Sequence, residues 1–343
     1  MWSVIGQTRI VSLLKRSLEK GVLAHAYLFV GPSHVGKMTI ALNLAQALNC
    51  EVDESPCSGC SSCQRIASAK HADVQIIGLA STGNADEVKT RTEISIDQIR
   101  QVQHSANLPP FEGKYKVFII DGAEYLSTEA ANCLLKTLEE PVGRVVFILL
   151  TTHDSLLPTT VVSRCQRLEL LPLAAGEVET ALSSRWGIEP PKAKLLARLC
   201  HGCFGWALSA ALDDSLLEQR SERLRKLVDI IIADYEERFT YAAELADQFN
   251  QRRSLVWEIL DLWLSLWRDL LLVKVDFGEA ITNIDLEAKL ADLARGLSLA
   301  QIRAVINSLL SAGDELKQNA NPRLVLEVLM LGIPRVKGVR VVR

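Results

Sequence analysis

No stretch of this 343-residue sequence is both long and apolar enough to cross a bilayer. The richest run, LVWEILDLWLSLWRDLLLVK (255–274), is broken by Glu258, Asp261, Arg268 and Asp269. Each such charge costs about 2.5–3.5 kcal/mol at mid-membrane, so the run is expected to be a buried or interfacial amphipathic helix. The N-terminus, MWSVIGQTRI, has no basic segment ahead of an apolar one, and no signal peptide is expected. Basic excess is missing too: 38 Lys and Arg stand against 41 Asp and Glu, a formal charge of -3. That argues against a chain-wide surface for nucleic acid, and any DNA contact must come from a local patch or through partners. Internal repeats and low-complexity blocks are absent. A soluble, cytoplasmic protein is expected, with the eight cysteines serving as thiols or metal ligands rather than disulfides.

The length suggests about two to three domains. AYLFVG (26–31), DVQIIGL (73–79), KVFIID (116–121) and VVFILLTT (145–152) are short runs rich in Val, Ile and Leu. Helical patterns such as KMTIALNLAQALN (37–49) and STEAANCLLKTLEE (127–140) lie between them. Continuous apolar strands alternating with helices predict a mostly parallel sheet covered on both faces. A last strand-like run, QRLELLPL (166–173), closes this α/β region. Beyond about residue 174 strand signals nearly vanish. A small helical bundle is expected first, then a nearly all-helical stretch with polar breaks near 250–253 and 275–285.

VGPSHVGKMT (30–39) nearly matches the phosphate-binding pattern G-x-x-x-x-G-K-[S/T]. Gly31, Gly36 and Lys37 fit, and the strand–loop–helix context is right. Loop amides and the helix N-terminus would hold phosphates while Lys37 reaches the outer ones. The last position, which should ligate Mg²⁺ through a hydroxyl, is Met38, and Thr39 comes one residue late. Asp121, at the end of an apolar run, is placed to hold Mg²⁺, directly or through water. The glutamate that should follow it, to position the attacking water, is replaced by Gly122. Glu124 lies three residues after Asp121 and is expected to point elsewhere unless the loop is unusual. The bland alternative is a glycine-rich turn with no ligand. ATP with Mg²⁺ is thus plausible as a ligand, whereas hydrolysis is not expected.

Cys50, Cys57, Cys60 and Cys63 are spaced C-x6-C-x2-C-x2-C within 14 residues. Four soft ligands suit tetrahedral Zn²⁺, and four thiolates leave no open position, so the metal would be structural. An iron–sulfur cluster or four incidental thiols are the alternatives. Cys200 and Cys203 have C-x-x-C spacing but no second pair, and are read as packing or a helix end. Cys133 and Cys165 are isolated. Trp257, Trp263 and Trp267 are read as core or subunit-interface packing, and the basic tail RVKGVRVVR as a frayed end or a minor contact.

IGQ (5–7), AHAYLFVGP (24–32), the cysteine quartet, KVFIIDGAEYLSTEAANCLLKTLEEP (116–141) and TTHDSLLPTTVVSRC (151–165) occur in an order that resembles one family closely. A fainter echo follows in NANPRLVLEVLML (319–331). The chain resembles bacterial DNA polymerase III clamp-loader subunits, of the delta-prime and gamma/tau type, within the AAA+ ATPases. The resemblance implies an α/β P-loop AAA+ core over 1–170 with an inserted zinc module at about 50–66. It also implies a helical lid over 171–213 and an all-α oligomerising collar over 214–343. Implied partners are the gamma/tau and delta subunits in a hetero-pentameric ring, the sliding clamp, and primed DNA reached through the ring.

Ser163, Arg164 and Cys165 match the family's Ser-Arg-Cys tripeptide, in which the arginine reaches the neighbouring subunit's ATP. Thr152 falls at the position of the side chain that senses the γ-phosphate. In the lid, GCFGWAL (202–208) puts Gly205 where motor subunits carry an arginine. Met38, Gly122 and Gly205 all remove groups that act on the chain's own nucleotide, while Arg164 remains. That combination points to the stator-like delta-prime type, a non-catalytic subunit of the polymerase III holoenzyme. The alternatives are an active gamma-like ATPase using Thr39 and Glu124, and a stand-alone zinc- and nucleotide-binding regulator.

Overall fold

Tyr27 and Phe29 pack on one side of their strand, and Ala26, Leu28 and Val30 on the other, because successive strand side chains alternate between faces. In the computed structural model, which describes residues 2–52, 55–79, 93–140, 143–318 and 320–335, both faces are covered. This strand is β1 (Ala26–Val30), buried throughout. One face meets α1 (Thr8–Glu19) and α2 (Lys37–Asn49) through Leu14, Ile40 and Leu44. The other meets α4 (Ile96–Ala106) and α5 (Thr128–Glu139) through Ile99, Val102, Leu134 and Leu138.

Four further strands, β2 (Val74–Ile77), β3 (Lys116–Asp121), β4 (Val145–Thr151) and β5 (Gln166–Glu169), complete a parallel sheet ordered β2-β3-β4-β1-β5. Parallel pairing needs crossover segments that cover the faces, hence the near-continuous apolar strands. β5 ends at Glu169, short of the expected 173. Leu170 N–H still donates to the Val30 carbonyl at 2.8 Å before Pro172 ends the run. In register, Val30 pairs with Thr151 and Asp121 with Leu150. The loop after β1, Asp121 and Thr152 therefore share the carboxyl edge of the sheet, where ligands bind in open α/β folds.

Two compact units divide the chain, Met1–Ala193 with Cys200–Leu208 and Lys194–Leu199 with Ser209–Arg343. In the first, a short α3 (Ser61–Ala67) follows α2. Asp73, 2% exposed, accepts N–H bonds from Phe111, Glu112 and Gly113 at 2.7–2.8 Å. Arg65 grips Glu112 through two nitrogens at 2.7 Å, and Lys114 Nζ donates to the Cys50 carbonyl. These bonds fasten the cysteine-bearing segment to the chain entering β3.

The second unit is helical, built chiefly from α10 (Asp214–Ile232), α11 (Tyr235–Gln251), α12 (Arg253–Lys274), α13 (Glu287–Arg295), α14 (Leu299–Lys317) and α15 (Pro322–Gly332). Two of the boundaries, 251–253 and 274–287, fall at the polar breaks expected near 250–253 and 275–285. Trp263 and Trp267 are buried in its core and Trp257 packs against it. Glu258, Asp261 and Arg268 face outward, while the buried Asp269 accepts from Thr282 N–H, Asn283 N–H and Asn283 Nδ2 at 2.7–2.9 Å. The charge-broken run is thus an amphipathic core helix. Among the described residues no helix is long and apolar enough to cross a membrane. Arg238, fully buried, donates to the carbonyls of Ile230, Ile231 and Ile333. Residues 336–343 of the basic tail lie outside the described residues.

Candidate nucleotide site and metal centre

The loop of Gly31–Gly36 joins β1 to α2, and Gly36 caps a helix that no side chain caps. Its first amides are therefore left to the loop or to an anion. Gly31 N–H donates to the Thr151 carbonyl at 3.2 Å, tying the loop to β4. Lys37 Nζ turns back onto the loop, donating to the carbonyls of Gly31 (2.5 Å) and Pro32 (2.9 Å). Burial lowers the Lys37 pKa, against the pull of Glu124, Asp121 and Cys203. α2 begins at Lys37, so Met38 occupies the hydroxyl position and the late start that Thr39 needs is not seen. Met38 instead packs against the core.

Glu124 does not point elsewhere. Gly122, at φ 76°, turns β3 into a short 3-10 turn over Ala123–Tyr125, and this carries Glu124 back over the sheet edge. Its Oε1 accepts from Thr152 Oγ1 (2.6 Å) and Thr152 N–H (3.1 Å). Burial would raise its pKa, but the bonds from Thr152, its own amide and Thr151 together hold the carboxyl below its ordinary value. Asp121 moves the opposite way, raised by burial despite Lys37. A Cβ at 122 would lie 2.7 Å from the Tyr125 ring, so this turn excludes the expected glutamate there. Residue spacing alone concealed this, because a left-handed glycine reverses the chain.

Gly205 is the second residue of the helix α9 (Phe204–Leu212), which follows α7 (Ala175–Trp186), α8 (Pro190–Leu199) and the Cys200–Cys203 link. Its N–H donates to the His34 carbonyl at 2.9 Å. A Cβ built on Gly205 would meet that same oxygen at 2.9 Å and His34 Cβ at 3.4 Å. Position 205 is therefore packed backbone-to-backbone on the loop of residues 31–36. Gly205→Ala is expected to destabilise this unit by about 1–3 kcal/mol, the usual range for overpacking. Urea unfolding checks it, and an unchanged midpoint would show that the contact is loose.

Arg164 follows α6 (Thr159–Val162) and is one-third exposed. Its Nη1 donates to the Thr160 carbonyl at 2.9 Å and its Nη2 pairs with Glu139 at 2.5 Å. Both partners lie on α5 and α6, not on the loop of residues 31–36. The structure thus gathers Gly31, Gly36, Lys37, Asp121 and Thr152 at one sheet edge and gives Arg164 separate partners.

Cys50 ends α2, Cys57 lies in the loop, and Cys60 and Cys63 open α3. All four sulfurs lie within 4.8 Å of one another, with Cys57 and Cys63 4.0 Å apart. Zn–S bonds of about 2.3 Å in a tetrahedron put sulfurs about 3.8 Å apart, so the donor set fits. Cys60 N–H points at Cys57 Sγ (3.3 Å) and Cys63 N–H at Cys60 Sγ (3.4 Å). The Cys60 and Gly59 amides pull the Cys57 thiol down to about 6, while burial pushes Cys63 up to about 12. These four residues could hold a metal ion such as zinc. Cys200 is buried at a helix end, and Cys133 Sγ donates to Gln103 Oε1 at 3.0 Å.

Residues 6–174 match the family described as DNA polymerase III, delta subunit, and residues 215–334 match its C-terminal counterpart. The chain belongs to the DNA polymerase III clamp-loader family. Among curated relatives, subunit delta' of Bacillus subtilis is 29% identical over 95% of this chain and 95% of its own length. Subunit tau of the same organism is 28% identical over 96% of this chain but only 60% of its own length. The chain therefore spans little more than half of the tau relatives it matches. Among solved structures, a DNA polymerase III gamma-subunit-related protein from Thermotoga maritima aligns over 94% of this chain and 97% of that one, with 20% identity and a TM-score of 0.47.

As a clamp-loader family member, the chain has polar anchors that its sequence did not reveal. Asp73 lies in a segment read only as a strand, and Glu139 lies within the run 116–141 without having been singled out as a partner of Arg164. Glu124 was visible as an acid but not as a partner of Thr152.

Proposed function

We propose that this chain is a delta-prime-type stator of a clamp loader. It would complete a neighbouring subunit's ATP site through Arg164 and help load a sliding clamp onto primed DNA without turning over ATP itself. The observation that carries this reading is the Gly205–His34 bond, which closes the chain's own phosphate loop against the lid segment. Met38 removes the metal-binding hydroxyl, Gly122 the water-positioning acid, and Glu124 already engages the sensor Thr152. Arg164, by contrast, remains partly exposed. Its guanidinium is suited to stabilise charge on a transferring phosphoryl group.

In this reading residues 1–170 form the AAA+ core, 171–213 the lid and 214–343 the collar, in a hetero-pentameric ring with gamma/tau and delta subunits in the cytoplasm. Leu324, Val328 and Leu331 on α15 are 61%, 67% and 53% exposed and recur at i, i+4 and i+7. Such an apolar stripe suits a helix-to-helix collar contact. Zinc would hold the Cys50, Cys57, Cys60 and Cys63 segment in shape. ATP with Mg²⁺ would be a ligand of the loop at 31–37 without being hydrolysed there.

Purified alone, the protein is expected to hydrolyse ATP no faster than background, with Lys37→Ala leaving that baseline unchanged. Robust turnover abolished by Lys37→Ala would replace the stator with the active gamma-like reading.

A further inference from the structure

An arginine that acts on another subunit's phosphate must present its guanidinium in a fixed direction, yet a free arginine side chain samples many rotamers. Arg164 is held from two sides. Glu139 Oε1 takes Nη2 at 2.5 Å, and the Thr160 carbonyl takes Nη1 at 2.9 Å. Each acceptor sits on an anchored element. Leu134 and Leu138 are buried just before Glu139 on α5, and Val161 is buried on α6. One hydrogen bond and one ion pair, from two elements, restrain the guanidinium. One of its five N–H donors is engaged in a hydrogen bond, to the Thr160 carbonyl, and beside the Glu139 ion pair the rest are enough to meet phosphoryl oxygens.

Stability gives a weak reason for this pair. Both side chains are well exposed, at 33% and 49%, and surface pairs contribute little. Glu139 is also the last residue of α5, where the helix dipole disfavours an anion. We propose that Glu139 is a positioning residue for Arg164, aligning it for the neighbour's ATP. The inference rests on the reading of Arg164 given above.

The test uses the assembled complex with cognate motor and delta subunits, clamp and primed DNA. Glu139→Ala is expected to lower kcat for ATP about tenfold while KM stays within about twofold, as misorientation affects the transition state more than ground-state binding. Glu139→Gln keeps an acceptor oxygen at the same reach and is expected to restore kcat to within about threefold of wild type. The melting temperature of the isolated subunit should not move, which a merely structural role would shift. In an Arg164→Ala background, Glu139→Ala should cause no further loss. If Arg164→Ala lowers kcat but Glu139→Ala leaves it unchanged or raises it, Glu139 is not an aligner and this inference falls alone. If Arg164→Ala itself has no effect, the stator reading falls and takes the inference with it.

Discussion

In a complex where only the adjoining ATP site is competent, Arg164→Ala is expected to reduce turnover by about a thousandfold, the lower end for an arginine finger acting in trans. The other motor subunits would be silenced at their phosphate-loop lysines so that their hydrolysis does not mask the loss. Clamp loading should fall with turnover, while assembly, measured by gel filtration, stays intact. The size of the effect follows from what the residue supplies. A guanidinium in a site that excludes water meets charge that develops only during phosphoryl transfer, so its removal raises the barrier more than it weakens ATP binding. Arg164→Lys should rescue little, because an ammonium lacks the planar fork that Glu139 and Thr160 hold. A variant with full turnover at that site would remove the central support of the stator reading.

Loss of the metal should be nearly as damaging to the fold. One zinc per chain is expected from the four-thiolate set, and Cys63→Ser should abolish it while lowering the melting temperature by about 10 °C. Cys50 terminates the same helix that opens at the phosphate loop, and Cys60 and Cys63 start α3. Without an ion, four sulfurs within 4.8 Å have only weak thiol contacts with one another in place of a common partner. Elemental analysis with calorimetry is the measurement. A metal-free protein melting like wild type would refute the assignment, and iron with visible absorption would favour a cluster instead.

The α/β half could be read closely from sequence because its strands are buried on both faces. KVFIID and KMTIALNLAQALN coincide with β3 and α2, since uninterrupted apolar runs flanked by glycine or charge leave few registers. The cysteine quartet was equally open, for its spacing is local. What stayed hidden depended on chain reversals and distant partners. Gly122 looked like a missing acid, and only its left-handed turn shows that it delivers another acid to Thr152. Gly205 looked like a deleted arginine, and only the His34 contact shows that no side chain fits there. Neither fact is local, so periodicity could not supply it. The buried Asp73 and Asp269 clasps were missed for the same reason, since their amide partners lie 38–40 and 13–14 residues away.

The packing of Gly205 on the phosphate loop also bears on how such a chain can change through descent. A serine at 38 would restore one lost group without giving turnover while the other parts are missing, and a glutamate at 122 would meet the Tyr125 ring on a left-handed backbone. An arginine at 205 cannot enter until the loop around His34 moves, so that step begins with a loss of stability. Acquiring the missing groups one at a time therefore passes through single replacements that are neutral or harmful. A chain packed in this way gains a side chain at 205 only by first giving up that contact.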